Sequence, residues 1–134
     1  MAISEATLRE MFRHLEHGDG AGFFAHVADD VDWTVMGSHP LAGRYLSKQA
    51  FVAGTFAKLA KALPGGAQLV VEHVFLSGSD AVVELRSKAV AVNGLKFDNF
   101  YCWVLRLDGD VIVRVRAYLD SALVARLFAE NPVE

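Results

Sequence analysis

The sequence predicts an α+β domain in which a curved, long-stranded antiparallel sheet closes over an apolar pocket beneath three N-terminal helices. Three observations predict it. Helical spacing of apolar residues dominates the chain before Pro64, whereas period-two runs dominate the chain after Gly66. Asn93-Gly94 and Asp108-Gly109 stand between those runs, the strongest local signals for antiparallel hairpins. Nothing alternates strand with helix in the way parallel crossovers require, which excludes a dinucleotide-binding sheet.

The elements follow in order. Ser4, with Glu5 in the first turn, starts a helix that runs to about His17, and Leu8, Met11, Phe12 and Leu15 recur along it at helical spacing. Gly18, Asp19 and Gly20 break it, and Ala21 to Val27 forms a second, short helix carrying Phe23, Phe24 and Val27. After the acidic pair Asp29 and Asp30, Val31, Trp33 and Val35 alternate with Asp32 and Thr34 as a half-buried strand, and Gly37 to Gly43 is a loop holding Pro40. Ser47 caps a third helix with Phe51, Val52, Phe56 and Leu59 along one side, ending before Pro64. Four strands then form a meander: Ala67 to Leu76, Ala81 to Val92, Leu95 to Leu107 and Val111 to Leu119. Strands this long exceed the usual length and must curl or be covered. A helix from Ser121 to Ala129 ends the chain.

Composition narrows the function. The 134 residues, 53% of them hydrophobic, suit one domain spanning 1–134 with one substantial core. A net charge of −3 with interspersed signs gives no nucleic-acid footprint. The lone cysteine, Cys102, permits no internal disulfide and fits a reducing compartment. The N-terminus lacks the apolar run of a signal peptide, and no stretch reaches the roughly 18 apolar residues of a membrane span. A cytoplasmic protein without a membrane partner is the expectation. The five histidines show no metal-ligand spacing, so neither metal nor cofactor is expected.

Three stretches carry a family resemblance: HGDGAGFFAHVADDVDWTV, PLAGRYLSKQAFVAGTF with its Gly-x-Tyr helix start, and DGDVIVRVRAYLD. In order and spacing they resemble the nuclear transport factor 2-like superfamily, specifically its SnoaL-like and ketosteroid isomerase-related bacterial members. The resemblance implies a cystatin-like, cone-shaped sheet with a deep pocket between its concave face and the helices, and a homodimer through the convex face. It implies no particular reaction, because this fold hosts isomerases, cyclases, hydrolases, dehydratases and binding proteins. The steroid isomerase base, an aspartate on the strand after the acidic pair, corresponds to Val35; the tyrosine of helix one falls near Met11, and the protonated aspartic acid of the oxyanion hole near Trp103. Limonene-type epoxide hydrolases place Arg-x-Asp on the second meander strand and an aspartate on the last. Here those places read Arg86-Ser87-Lys88 and Ala117, so that acid–base pair is absent too.

The same comparison implies which side chains face the pocket: Glu84, Arg86, Lys88, Val90 and Val92 on one strand, Asn99, Tyr101 and Trp103 on the next, Val115, Ala117 and Leu119 on the last, and Trp33, Val35 and Met36 from the first. Alternation makes each set internally consistent. Trp33 and Trp103 serve either as pocket wall or as core. Glu84, Arg86 and Lys88 look either into water or into the cavity; inward, Arg86 pairs Glu84 or binds a carboxylate or enolate. Val83, Leu85, Ser87 and Ala89 then suit a dimer face, and Arg114, Arg116, Tyr118 and Asp120 point outward, with Asp120 or Glu72 to hold Arg116 or Tyr118. Tyr101 either hydrogen-bonds a carbonyl or packs with its phenol satisfied, and His39 sits in a loop at the pocket mouth, either active or solvated. Asp120, at a strand end near the rim, is a candidate base.

Two functions are consistent with this set. One is cofactor-free isomerisation, cyclisation or dehydration of a small apolar carbonyl compound, with Arg86, Glu84, Tyr101, His39 and Asp120 as catalytic candidates. The other is a ligand-binding or accessory domain that turns nothing over.

Overall fold

A computed structural model describes residues 3–66 and 68–133. The first helix forms where a local cap and an apolar stripe coincide. Helix α1 (Glu5–Glu16) starts at Ser4, whose hydroxyl accepts the Thr7 N–H at 3.1 Å, and it buries Leu8, Met11, Phe12 and Leu15. Helix α2 (Gly20–Phe24) starts at Asp19, whose carboxylate accepts the Gly22 N–H at 2.9 Å. Strand β1 (Val27–Val35) runs through the acidic pair rather than after it, with an irregularity between Val27 and Asp32. A short β2 (Gly43–Tyr45), starting at the last residue of the predicted loop, pairs antiparallel with β1 and is not foreseen by the sequence pattern.

The third helical stretch is two helices, α3 (Lys48–Gly54) and α4 (Phe56–Ala62), broken at Thr55. Ser47 caps α3 through the Ala50 N–H, whereas α4 has no side-chain cap. The meander follows: β3 (Leu69–Ser77), β4 (Asp80–Ser87), β5 (Phe100–Asp108) and β6 (Val111–Leu119), then α5 (Ser121–Glu130). The six strands form one sheet in the order β2-β1-β6-β5-β4-β3. The meander pairs are antiparallel, while β1 lies parallel to β6, with Trp33 opposite Val115 and Val35 opposite Ala117. The sequence-predicted start of the first meander strand at Ala67 falls outside the described residues.

The middle hairpin is shorter as a ladder than its period suggests. Ser87 and Asn99 end the regular pairing: the Asn99 N–H donates to Ser87 Oγ at 3.2 Å, and Ser87 Oγ–H donates to the Phe97 carbonyl at 3.1 Å. Beyond them, residues 88–99 bend around the Asn93-Gly94 turn, and the Val92 N–H reaches the Ala62 carbonyl of α4. That bend brings Ala91 and Phe97 into a second core with Leu41, Leu59, Leu63, Val124 and Leu127. The first core, larger, fills the space between α1–α3 and the sheet and holds Phe12, Phe23, Trp33, Phe51 and Trp103. Among the described residues no helix is long and apolar enough to cross a membrane.

Candidate functional site

The sheet's inner face is set by which of two alternating rows goes under the helices. On β4, Ala81, Val83, Leu85 and Ser87 are buried, and Val82, Glu84 and Arg86 are half-buried on the other side. This reverses the facing implied by the family comparison. Glu84 meets His73 Nδ1 at 3.1 Å on the outer face, Arg86 lies 3.7 Å from Glu72 and 6.0 Å from the Phe100 ring centre, and Lys88 is exposed. Val90 and Val92, beyond the ladder, are 55% and 67% exposed. The reason is energetic: the row with Val83 and Leu85 gains by burial, whereas three charged side chains in a cavity without partners would lose their hydration. Ser87, placed by the same comparison on a dimer face, is fully buried and bonded.

The inner rows enclose an aromatic cavity of about 40 Å³ between β1, β5, β6 and the helices α3, α4 and α5. Trp33, Val35, Tyr101, Trp103, Ala117 and Leu119 contribute walls from the sheet, and Phe51, Phe56 and Leu59 cover it. His39, Leu41, Thr55, Leu69, Phe97 and Val124 complete the lining. Trp33 stacks on Phe51 with ring centres 3.8 Å apart and planes 19° apart, and meets Trp103 edge-on at 5.1 Å. Tyr101 stands edge-on to Trp103 at 6.4 Å. Such pairs fix each ring against its neighbours, which gives the wall a defined shape.

A cavity of this size holds about one water, whereas ligand pockets usually enclose roughly 300–1,000 Å³. A molecule larger than a few atoms therefore enters only as the wall yields. The covering helix α4 is seven residues long and has no side-chain cap, so its hold depends on packing rather than on its own helical stability.

Polar groups reach the lining at few points. Tyr101 lies beside Ser87, and burial pushes its phenol well above the usual tyrosine range, so the ring carries its proton throughout physiological pH. Ser87 gives its own proton to the Phe97 carbonyl and accepts the Asn99 N–H, so toward Tyr101 its oxygen can act only as an acceptor. His39 has both nitrogens engaged: Nε2 faces the Met36 carbonyl at 2.9 Å and Nδ1 the Leu41 N–H at 3.1 Å. Those two partners require the neutral tautomer with its proton on Nε2, leaving no lone pair for a substrate proton. Gly37 lets this loop close down. Its φ of 117° is left-handed, and an added Cβ would stand 2.6 Å from Ser121 Oγ and 2.8 Å from His39 Cδ2.

The other sequence candidates lie elsewhere. Asp120 caps α5, accepting the Leu123 N–H at 3.1 Å, and its own N–H donates to Asn99 Oδ1 at 3.0 Å. It is a helix cap rather than a base aimed at the pocket. Asn99 is fully buried but supports that cap instead of lining the cavity. Val115 is in the first core, and Met36 is half-buried at the strand's end, its N–H given to Ala117. Arg114, Arg116 and Tyr118 are exposed on the outer face. The sequence offers Asp120 or Glu72 to hold Arg116 or Tyr118, but Asp120 is turned to α5 and Glu72 to Arg86.

Sequence reasoning missed the cover. Phe51, Phe56 and Leu59 were legible as an apolar helical stripe, and that stripe faces the cavity. Phe97 follows the parity of Asn99, Tyr101 and Trp103, which would have placed it inside. Among the described residues no carboxylate, lysine or arginine lines the cavity, and no group of three or more His, Cys, Asp or Glu is placed to hold a metal.

Comparison with known proteins agrees with this architecture. A family model described as SnoaL-like domain matches residues 8–115. The chain is 27% identical over 135 residues to "Dimerizing cyclase phiC" of Fungal sp. (strain ATCC 74256), covering 98% of this chain and 59% of that protein. The chain thus spans less than two thirds of that relative. An NTF2-like protein from Burkholderia thailandensis E264 superposes with a TM-score of 0.79 at 23% identity, over 92% of this chain and 95% of the other. A cystatin-like protein from Xanthomonas campestris gives 0.77 at 21% identity, over 91% and 95%. TerC co-crystallized with polyporic acid gives 0.72 at 18%, over 92% and 96%. The structural likenesses bear on the fold alone.

Proposed function

The chain belongs to the SnoaL-like family of isomerase- and cyclase-type domains, and from that premise we propose that it holds a small apolar carbonyl compound in the aromatic cavity and orients it for a cofactor-free cyclisation or isomerisation. The observation that carries this reading is Tyr101: a protonated phenol in a largely aromatic and aliphatic wall, in which His39 and Thr55 are bonded to backbone. The 27% identical cyclase supports the reaction type, and TerC, crystallized with polyporic acid, supports a small organic occupant.

The arrangement supplies two things. Confinement against the Trp33 and Trp103 rings fixes the conformation of a flexible substrate, so that reacting atoms meet without loss of further freedom. Tyr101 O–H, turning from Ser87 to a ligand oxygen by rotation about its C–O bond, stabilises charge that gathers on a carbonyl oxygen. Proton abstraction by a side chain is not part of this reading, because no carboxylate lines the cavity and His39 is occupied.

One observation favours a second reading, retention of the ligand without turnover: the same lack of a base. The two separate in one experiment. Apolar ketones are screened for binding by thermal shift, and each binder is then followed by NMR for product with wild-type protein and with Tyr101→Phe. Turnover that falls tenfold or more in Tyr101→Phe supports the catalytic reading; binding with no product in either protein supports the second.

The homodimer is part of the proposal, through the outer sheet face. Phe75 and Phe100 are 57% and 60% exposed there beside Tyr118, an apolar surface that an isologous contact would cover. The single-domain reading of 1–134 and a cytoplasmic location complete it.

A further inference from the structure

Among the fully buried polar atoms of the side chains that line the cavity, one has no partner among the described residues. Thr55 Oγ1 donates to the Phe51 carbonyl at 2.7 Å, His39 is bonded at both nitrogens, and Tyr101 lies beside Ser87. Trp33 is 0% exposed, lines the cavity, and has an indole Nε1–H without an acceptor among the described residues. Buried donors are almost always satisfied, and one that is not asks for an acceptor from outside the chain. The ring cannot turn to find one: it is stacked on Phe51 and held edge-on by Trp103.

We propose that Trp33 is the specificity-determining donor of this site, its indole N–H bonding a neutral acceptor oxygen on the bound molecule. The inference rests on the cavity being the ligand site. It narrows the ligand class in two ways. An acceptor is required, so a pure hydrocarbon leaves the donor unsatisfied and binds more weakly. A carboxylate is disfavoured, because no lysine or arginine lines the cavity to pair it. A compact ketone, quinone or enone satisfies both conditions.

The test uses two probes of one shape, acetophenone and α-methylstyrene, in which a CH₂ replaces the carbonyl oxygen. The chain holds two tryptophans, Trp33 and Trp103, so an ¹⁵N-labelled sample shows two indole N–H signals, assigned with Trp103→Phe. The expected result is a downfield move of the Trp33 signal with the ketone and not with the alkene. The ketone binds about tenfold more tightly, a difference typical of one hydrogen bond, and Trp33→Phe brings the two probes within twofold. Equal binding of both probes with the Trp33 signal unmoved overturns the inference and leaves the pocket reading intact. Binding of neither probe overturns the pocket reading, and this inference with it. Should Trp33→Phe fail to fold, the signal of the unsubstituted indole decides.

Discussion

The two faces of β4 come from one stretch of eight residues and have opposite fates. The inner row, with Val83 and Leu85, is 0% and 1% exposed at those positions, while Glu84 and Arg86, alternating with them, stay on the solvent side with His73 and Glu72 as partners. Inside, cohesion comes from close packing, where each methylene counts. Outside, it comes from half-exposed ion pairs, which water and salt weaken. The lesson is that a charged row at regular spacing marks a strand but not a site. Whether it faces the cavity depends on what the opposite row can bury.

The largest effect should come from cutting into the inner row. Leu85→Ala is expected to cost about 2–5 kcal/mol of unfolding free energy, read as a shift in urea midpoint at constant slope. Glu84→Ala should stay within about 0.5 kcal/mol. Equal losses at the two positions would mean the face assignment is wrong.

Next in size is Tyr101→Phe, which keeps the ring and deletes the hydroxyl. A tenfold or greater fall in turnover with little change in melting temperature is expected, measured on whichever ketone binds. Because the phenol stays protonated, wild-type activity should show no Tyr101-dependent change between about pH 6 and 9.

On the outer face, Phe100→Glu should shift the protein from dimer to monomer in sedimentation while leaving the melting temperature of the fold nearly unchanged. Retention of the dimer would move the interface off this surface.

A smaller effect concerns the outer ion pairs. Arg44 holds the Asp32 carboxyl below its usual range through bonds of 3.0 and 2.8 Å, and Arg106 does the same for Asp80. A carboxylate whose folded-state pKa is depressed contributes stability above its unfolded value and loses it as pH falls through the folded one. The melting temperature should therefore hold from neutrality to about pH 5 and decline below about pH 4. Asp32→Asn should flatten that decline. Smallest of all is Arg86→Ala, expected to change stability by less than about 1 kcal/mol and ketone affinity not at all.

Much of the fold was legible because its signals are local. Ser4 and Ser47 cap helices through their own side chains, and Asn93-Gly94 and Asp108-Gly109 turn the chain by their own backbone preferences. The last strand, Val111–Leu119, matches the period-two reading end to end. The bend of residues 88–99 was not legible, since it depends on contacts between distant segments: the Val92 N–H with Ala62, and Phe97 in one core with Leu63 and Leu127.

The site divides the same way. The sequence by itself determined the elements, the alternating rows and the absence of the aspartates that related enzymes use, because each is a property of neighbouring residues. Only the tertiary structure decided which row faces inward, that Asp120 is a cap, that His39 is tied to backbone at both nitrogens, and that Trp33 is left with an unpaired donor. Period two yields two equivalent faces, and the choice between them is made when helices from elsewhere in the chain cover the one that loses most by meeting water.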